Sequence, residues 1–315
     1  MKHIHLDLVR VTEAAAIEAS HHVGRGDKHA ADKAATDAMR DRLNRIDFAG
    51  QIAIGEGEKD DAPGLFKGEM VGSGWLSRKK WRMPLEPDDF YPIYSIAVDP
   101  LDGTTQTSRG GNEAMSVIAI GNEGSLLDTG NWYMHKLAYG PMVAKTDINI
   151  MMPINERISL IAKALGKEIG RVTVCILDRP RHNNLMKELR EAGCRIKLIQ
   201  DCDITAAIAT ALPDSGIDAY MGIGGSPEGV IGAAALKCME GGFQGILCDK
   251  EGNSTGNALQ TEDLAKGDVI FCATGVTDGS LLKGVRWNAN GPITQSVTMR
   301  SESNTVRWVN TIHGN

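Results

Sequence analysis

Apolar positions along the 315-residue chain change period several times, and each change predicts an element. From 6 to 20, Leu8, Val11, Ala15 and Ile17 recur at helical spacing, with Glu13 and Glu18 turned outward. Gly24-Arg25-Gly26 breaks this helix, and Asp27 is placed to cap a second over about 28–44. Lys28 and Asp32 lie four apart there and share a face, as an ordinary surface ion pair would. Ile52-Ala53-Ile54 reads as a short strand broken by Gly55-Glu56-Gly57-Glu58. Prolines, aromatics and charges over 74–94 read as a long hairpin excursion or flap.

Ile96-Ala97-Val98 suits a strand buried on both faces, which Pro100 should end by removing an amide donor. Strands follow over 114–121 and 132–139, joined by the turn at Asn122-Glu123-Gly124. Beyond them the rhythm is strand and helix in alternation. A helix over 154–165 stops at Gly166, a strand spans 172–177, and a helix over 183–192 stops at Gly193. A strand over 195–199 precedes a helix over 204–211 that Asp203 can cap, and a strand over 218–222 runs through glycines into a helix over 230–239. Strands over 268–274, 296–300 and 306–312 follow, the last two suited to a closing hairpin, while 241–266 is turn-rich. The pattern predicts an α/β (α+β layered) fold in two halves, 1–152 and 153–315.

Composition narrows the class. Apolar residues make up 42% and charged ones 23%, enough for a sizeable core without disulfides. A net charge of −6 with one short basic cluster at 78–82 argues against a nucleic-acid partner. The six cysteines form no C-x-x-C pair, which suits a reducing cytoplasm and excludes a zinc knuckle. No signal peptide and no run long enough to span a membrane is seen.

Acids gather at predicted strand ends and glycine turns: Asp32, Glu56, Glu58, Asp99, Asp102, Asp201, Asp203 and Glu228. In IAVDPLDGTT, Asp99 and Asp102 sit three apart on a turn, followed by the hydroxyls of Thr104 and Thr105. Paired carboxylates there either cap backbone amides or repel each other until a cation joins them. A solvated acidic loop is the bland alternative for the Glu56 stretch. An oxygen-rich set without clustered His or Cys favours Mg²⁺ or Mn²⁺. Lys28, Arg179 and Arg181 could meet phosphate oxygens, and Gly224-Gly225 before a helix could present amides to an anion. Together these spell phosphomonoester hydrolysis if the fold gathers them.

D-P-L-D-G-T at 99–104 resembles the signature of the lithium-sensitive, Mg²⁺-dependent phosphatases. The combination GRGDK…AAD (24–32), IGEGEKDDAPGLFKGE (54–69), AVDPLDGTT (97–105), DRPRH (178–182) and GIGGSPEGV (222–230) resembles the class II bacterial fructose-1,6-bisphosphatases. RVTEAAA (10–16) and VIFCATGVTDGSLLKGV (269–285) are similar to that family too, so the likeness covers nearly the whole chain. Two stretches depart from the family: 75–95 is longer and 249–267 shorter than its usual segments.

The resemblance implies a sugar-phosphatase-like α-β-α-β-α sandwich. It implies hydrolysis of the 1-phosphate of fructose 1,6-bisphosphate, with sedoheptulose 1,7-bisphosphate as an alternative or additional substrate. Metal ligands would be Asp32, Glu56, Asp99, Asp102 and Glu228, and Thr104, Lys28 and Asp99 would be catalytic. Substrate contacts would fall on Asp102, Gly103, Thr104, Tyr133, Arg179, Arg181, His182, Asp201, Asp203 and Gly225. Without the resemblance, Tyr133 reads as packing. A cytoplasmic homo-oligomer, dimer or tetramer, is expected. Two competing readings are a dinucleotide-dependent oxidoreductase, which Glu228 inside the glycine loop opposes, and a non-catalytic sugar-phosphate sensor.

Overall fold

The structure, a computed structural model, describes residues 4–55, 64–81 (backbone alone from 78) and 93–314. Glu56, Glu58 and most of the expected flap lie outside the described residues. The chain opens with α1 (His5–Ser20), α2 (Lys28–Leu43), β1 (Ala49–Ile54), β2 (Met70–Val71), α3 (Ser73–Trp81), β3 (Ile93–Asp102), α4 (Thr104–Arg109) and β4 (Met115–Asn122). Next come β5 (Tyr133–Tyr139), α5 (Ile154–Leu165), β6 (Thr173–Leu177), α6 (Asn183–Glu191), β7 (Arg195–Ile199) and α7 (Asp203–Ala209). They are followed by β8 (Ala219–Gly225), α8 (Ser226–Lys237), β9 (Gly242–Cys248), β10 (Leu259–Gln260) and α9 (Thr261–Leu264). The chain closes with β11 (Val269–Gly275), β12 (Arg286–Asn288), β13 (Gly291–Arg300) and β14 (Thr305–Ile312). Among the described residues no helix is long and apolar enough to cross a membrane.

Two compact units emerge, and they divide the chain differently from the expected break after residue 152. The first takes Met1–Asp128, Gly267–Arg300 and Val306–Asn315; the second takes Thr129–Lys266 with Ser301–Thr305. The expected boundary follows the onset of strand–helix alternation, whereas the observed one follows strand pairing. β4 and β5 are not partners: β4 pairs β3 and β11, while β5 pairs β8 and β9.

In the first unit the order is β12-β13-β11-β4-β3-β1-β2, with β14 also on β13. The one parallel neighbour pair in that order is β1 with β3. α1 and α2 bury Leu8, Val11, Ala15, Ala35 and Met39 with Ile52, Ile96, Val98, Ile118 and Ile270 of the strands. Helical spacing predicted the inward turn of Leu8, Val11 and Ala15, but Glu13 is buried rather than outward; its Oε1 accepts a hydrogen bond from Thr294 Oγ1 at 3.1 Å. The start of the expected flap is α3.

In the second unit the order is β10-β9-β5-β8-β6-β7, with β6 parallel to both β7 and β8. α5 and α6 cover one face, packing Ile158, Ile161 and Leu189 on Leu137, Met221, Val174 and Ile246. Side chains alternate along a strand, so Lys136 and Tyr220 point to the opposite face. α8 packs there against α7 and β9. Turn-rich 241–266 contains β9, whose glycines mask its strand pattern.

Candidate functional site

In the first unit, β3 carries the D-P-L-D-G-T run. The strand does not stop at Pro100: its register against β4 shifts between Asp99 and Asp102, and this bulge absorbs the missing amide donor. Asp99 Oδ1 accepts from Leu101 N at 3.0 Å, the Asx-type contact the spacing allows. Gly103 has φ 94°, a left-handed turn that favours glycine, and Thr104 is the first residue of α4. Asp102 and Gly103 are buried, Asp99 and Thr104 half-buried.

The Gly24–Gly26 loop is stitched to that same helix. Gly24 N donates to Thr107 O at 2.9 Å and Gly26 N to Ser108 O at 2.8 Å. Asp27 caps α2 as expected, its Oδ1 accepting from Ala30 N at 2.9 Å. These bonds bring the start of α2, with Lys28 and Asp32, against α4. The ordinary surface ion pair that Lys28 and Asp32 could have made is not formed among the described residues. Burial raises the Asp32 carboxyl above the ordinary range, partly offset by His29.

In the second unit the site is built at the end of β8. Gly224 and Gly225 close the strand, Ser226 opens α8 with Pro227 behind it, and Glu228 lies in the first turn. A Cβ at Gly225 would stand 2.1 Å from Glu228 Oε2, so the missing side chain makes a cradle for that carboxylate. Glu228 Oε2 is sealed from solvent and has no hydrogen-bond partner. Burial raises the Glu228 pKa; Lys136 opposes the rise, and Asp203 and Asp201 add to it.

Asp203 does not cap α7 as expected. Its Oδ2 accepts from Lys136 Nζ at 2.6 Å and from Tyr220 OH at 3.1 Å. Cys202 supplies the turn into the helix, with a left-handed φ of 64° that is uncommon outside glycine. Asp201 is half-buried and its carboxyl is raised by burial, while the Cys202 amide and Arg179 pull it down.

The D-R-P-R-H loop sits at the end of β6. Arg179 Nη2 donates to Gln200 O at 2.6 Å. Arg181 donates twice to Ile223 O, at 3.0 and 2.7 Å, and its guanidinium carbon lies 5.4 Å from the centre of the Tyr133 ring. His182, expected to touch substrate, is instead pinned by backbone. Its Nδ1 donates to Leu177 O at 2.6 Å and its Nε2 accepts from Ile223 N at 2.7 Å. Both nitrogens are used, the ring is 1% exposed, and no donor remains for a ligand. A cavity of about 330 Å³ adjoins this loop, lined by Arg181, Arg157, Glu188, Met221 and Ile223 among others.

Spacing missed Lys136 and Tyr220. The available signal was a lysine directly before the apolar Leu137-Ala138-Tyr139 of β5. Among the described residues no three His, Cys, Asp or Glu side chains form a group able to hold a metal. Glu56 of the expected ligand set lies outside those residues. Glu228 itself suits a hard cation: a buried carboxylate oxygen without a partner, in an acidic setting, gains most from one.

The family model for bacterial fructose-1,6-bisphosphatase, glpX-encoded, matches residues 2–313. A protein of Synechococcus sp. (strain JA-2-3B'a(2-13)), named D-fructose 1,6-bisphosphatase class 2/sedoheptulose 1,7-bisphosphatase, is 41% identical across 98% of this chain and 94% of its own. One of the same name from Synechocystis sp. (strain ATCC 27184 / PCC 6803 / Kazusa) is 40% identical across 98% and 95%. The chain therefore belongs to the glpX-encoded bacterial fructose-1,6-bisphosphatase family.

Proposed function

We propose that this chain removes the 1-phosphate of fructose 1,6-bisphosphate, giving fructose 6-phosphate and inorganic phosphate, a step of gluconeogenesis. The observation that carries the reading is the orphaned Oε2 of Glu228, cradled by Gly225 in a chain whose family acts on bisphosphates. The reading assigns Mg²⁺ or Mn²⁺ to Asp32, Glu56, Asp99, Asp102 and Glu228. When bound, a divalent cation supplies a more acidic water and offsets charge on the departing oxygen.

Thr104, half-buried at the start of α4, orients the attacking water; an ordinary alcohol is too weakly acidic to attack by itself. Lys28 offers an exposed ammonium to phosphate. Arg179 and Arg181 meet a phosphate, Tyr133 contacts the substrate beside Arg181, and Asp201, Asp203 and Gly225 receive the sugar. Asp102 and Gly103 complete the set beside Thr104. His182 contributes by locking Arg181's loop to Ile223 rather than by contact. The names of the cyanobacterial relatives support a second reading, that sedoheptulose 1,7-bisphosphate is also accepted. A cytoplasmic homo-oligomer, dimer or tetramer, belongs to the same proposal.

Phosphate-release assays test it. Fructose 1,6-bisphosphate should be hydrolysed with Mg²⁺ or Mn²⁺, EDTA should abolish turnover, and Asp99→Ala or Glu56→Gln should cut it by about two orders of magnitude or more. Thr104→Ala should retain KM while losing most of kcat. Full activity in the carboxylate variants would refute the ligand assignment, and parallel assays on sedoheptulose 1,7-bisphosphate decide the second reading.

A further inference from the structure

We propose that Lys136 is a positioning residue for the sugar, acting through Asp203. The inference rests on the reading above, in which Asp203 receives substrate.

Lys136 and Asp203 form an ion pair whose side chains are 2% and 8% exposed. Such pairs are a poor device for stability, because desolvating both charges offsets most of their attraction. The surroundings are nevertheless shaped for this one. A Cβ at Gly224 would lie 2.3 Å from Asp203 Oδ2 and 2.9 Å from Lys136 Nζ, so the strand gives up a side chain to admit the pair. Tyr220, fully buried, donates its hydroxyl to the same Oδ2.

Both hydrogen bonds to the Asp203 carboxylate thus fall on Oδ2, and Oδ1 carries none among the described residues. Two donors on one oxygen fix the plane of the carboxylate and leave the other oxygen as a preset acceptor. An acceptor of that kind recognises a hydroxyl and repels a phosphate. Its ligand class is therefore the polyhydroxylated sugar body and not either phosphate. Lys136 does not contact the substrate; removing it frees Asp203 to rotate and blunts that selection.

The test uses the full-length protein with Lys136→Met, Asp203→Asn and the double variant. Steady-state kinetics on fructose 1,6-bisphosphate at saturating Mg²⁺ are joined by calorimetric titration of fructose 6-phosphate, which reads binding without turnover. Lys136→Met should raise KM and weaken fructose 6-phosphate binding about tenfold or more, the scale of a lost charged hydrogen bond, while kcat changes far less. The double variant should bind no worse than Asp203→Asn alone, because both changes remove one interaction. An unchanged KM in Lys136→Met, a loss confined to kcat, or additive losses in the double variant would overturn the proposal. Should Lys136→Met fail to fold, the neutral double variant against Asp203→Asn gives the same decision. A wild-type protein that releases no phosphate and binds no fructose 6-phosphate would overturn the parent reading and this inference with it. Normal wild-type turnover beside an unchanged Lys136→Met overturns this inference alone.

Discussion

Gly225 keeps a conformation open to any residue, φ −62°, and yet a methyl group there would occupy the place of Glu228 Oε2. The atom in the way is the far end of a flexible side chain, so the fold can yield where the site cannot. Gly225→Ala should melt close to the wild-type temperature and lose about 100-fold in kcat, the cost of displacing a site group by an ångström. Unchanged kcat would mean that Glu228 is not held by this cradle. His182 gives the second prediction at this scale. Burial pushes its pKa down; the Leu177 and Ile223 bonds resist, and Arg181 and Arg179 push the same way as burial. A folded-state pKa below the unfolded value means that the unfolded chain binds the proton first. Stability conferred by neutral His182 is therefore complete above about pH 6.5 and declines as pH falls below it. Urea midpoints measured from pH 7.5 down to 5 should fall, and His182→Gln should flatten that slope while lowering stability at neutral pH.

Among the elements, α1, β11 and β13 are tied by a line of buried hydroxyls. Thr12 Oγ1 meets Thr274 Oγ1 at 2.7 Å, and Thr274 meets Ser296 Oγ at 2.7 Å. Thr274→Val keeps the shape and leaves its neighbours short of a partner, so it should lower unfolding free energy by about 1–3 kcal/mol with an unchanged denaturant m-value. Periodicity could foresee that α1 packs on the sheet, since Leu8, Val11 and Ala15 repeat at its spacing, and Gly166 and Gly193 did mark helix ends. It could not foresee Glu13 facing inward, because a buried carboxylate depends on Thr294, far away in sequence. Asp203 misled for the same reason: an acid at a helix start reads as a cap, and only Lys136 and Tyr220 make it a buried acceptor. Pro100 misled locally, since a bulge let β3 run on to Asp102. The acids and glycines of the site were legible as motifs; the tertiary bonds that assign their tasks were not.

Across the molecule, Thr129–Lys266, the bulk of the second unit, is an insertion between β4 and β11, strands that lie side by side in the first unit's sheet. β11 is buried at every position and stands between β4 and β13. A chain ended after Lys266 should therefore lose cooperative unfolding of the first unit. The segment 129–266, which holds all six strands of its own sheet, should retain a cooperative transition by circular dichroism. Survival of a first-unit transition in the truncated chain would contradict this topology. The same insertion sets a schedule for synthesis. From Thr129 to Lys266 is 266 − 128 = 138 residues, so at about 5–20 residues per second β4 waits roughly 7 to 30 s before its partner leaves the ribosome. Until then a strand apolar along most of its length has an open edge, and a nascent chain in that condition invites holdase chaperones or aggregation more than its finished form does.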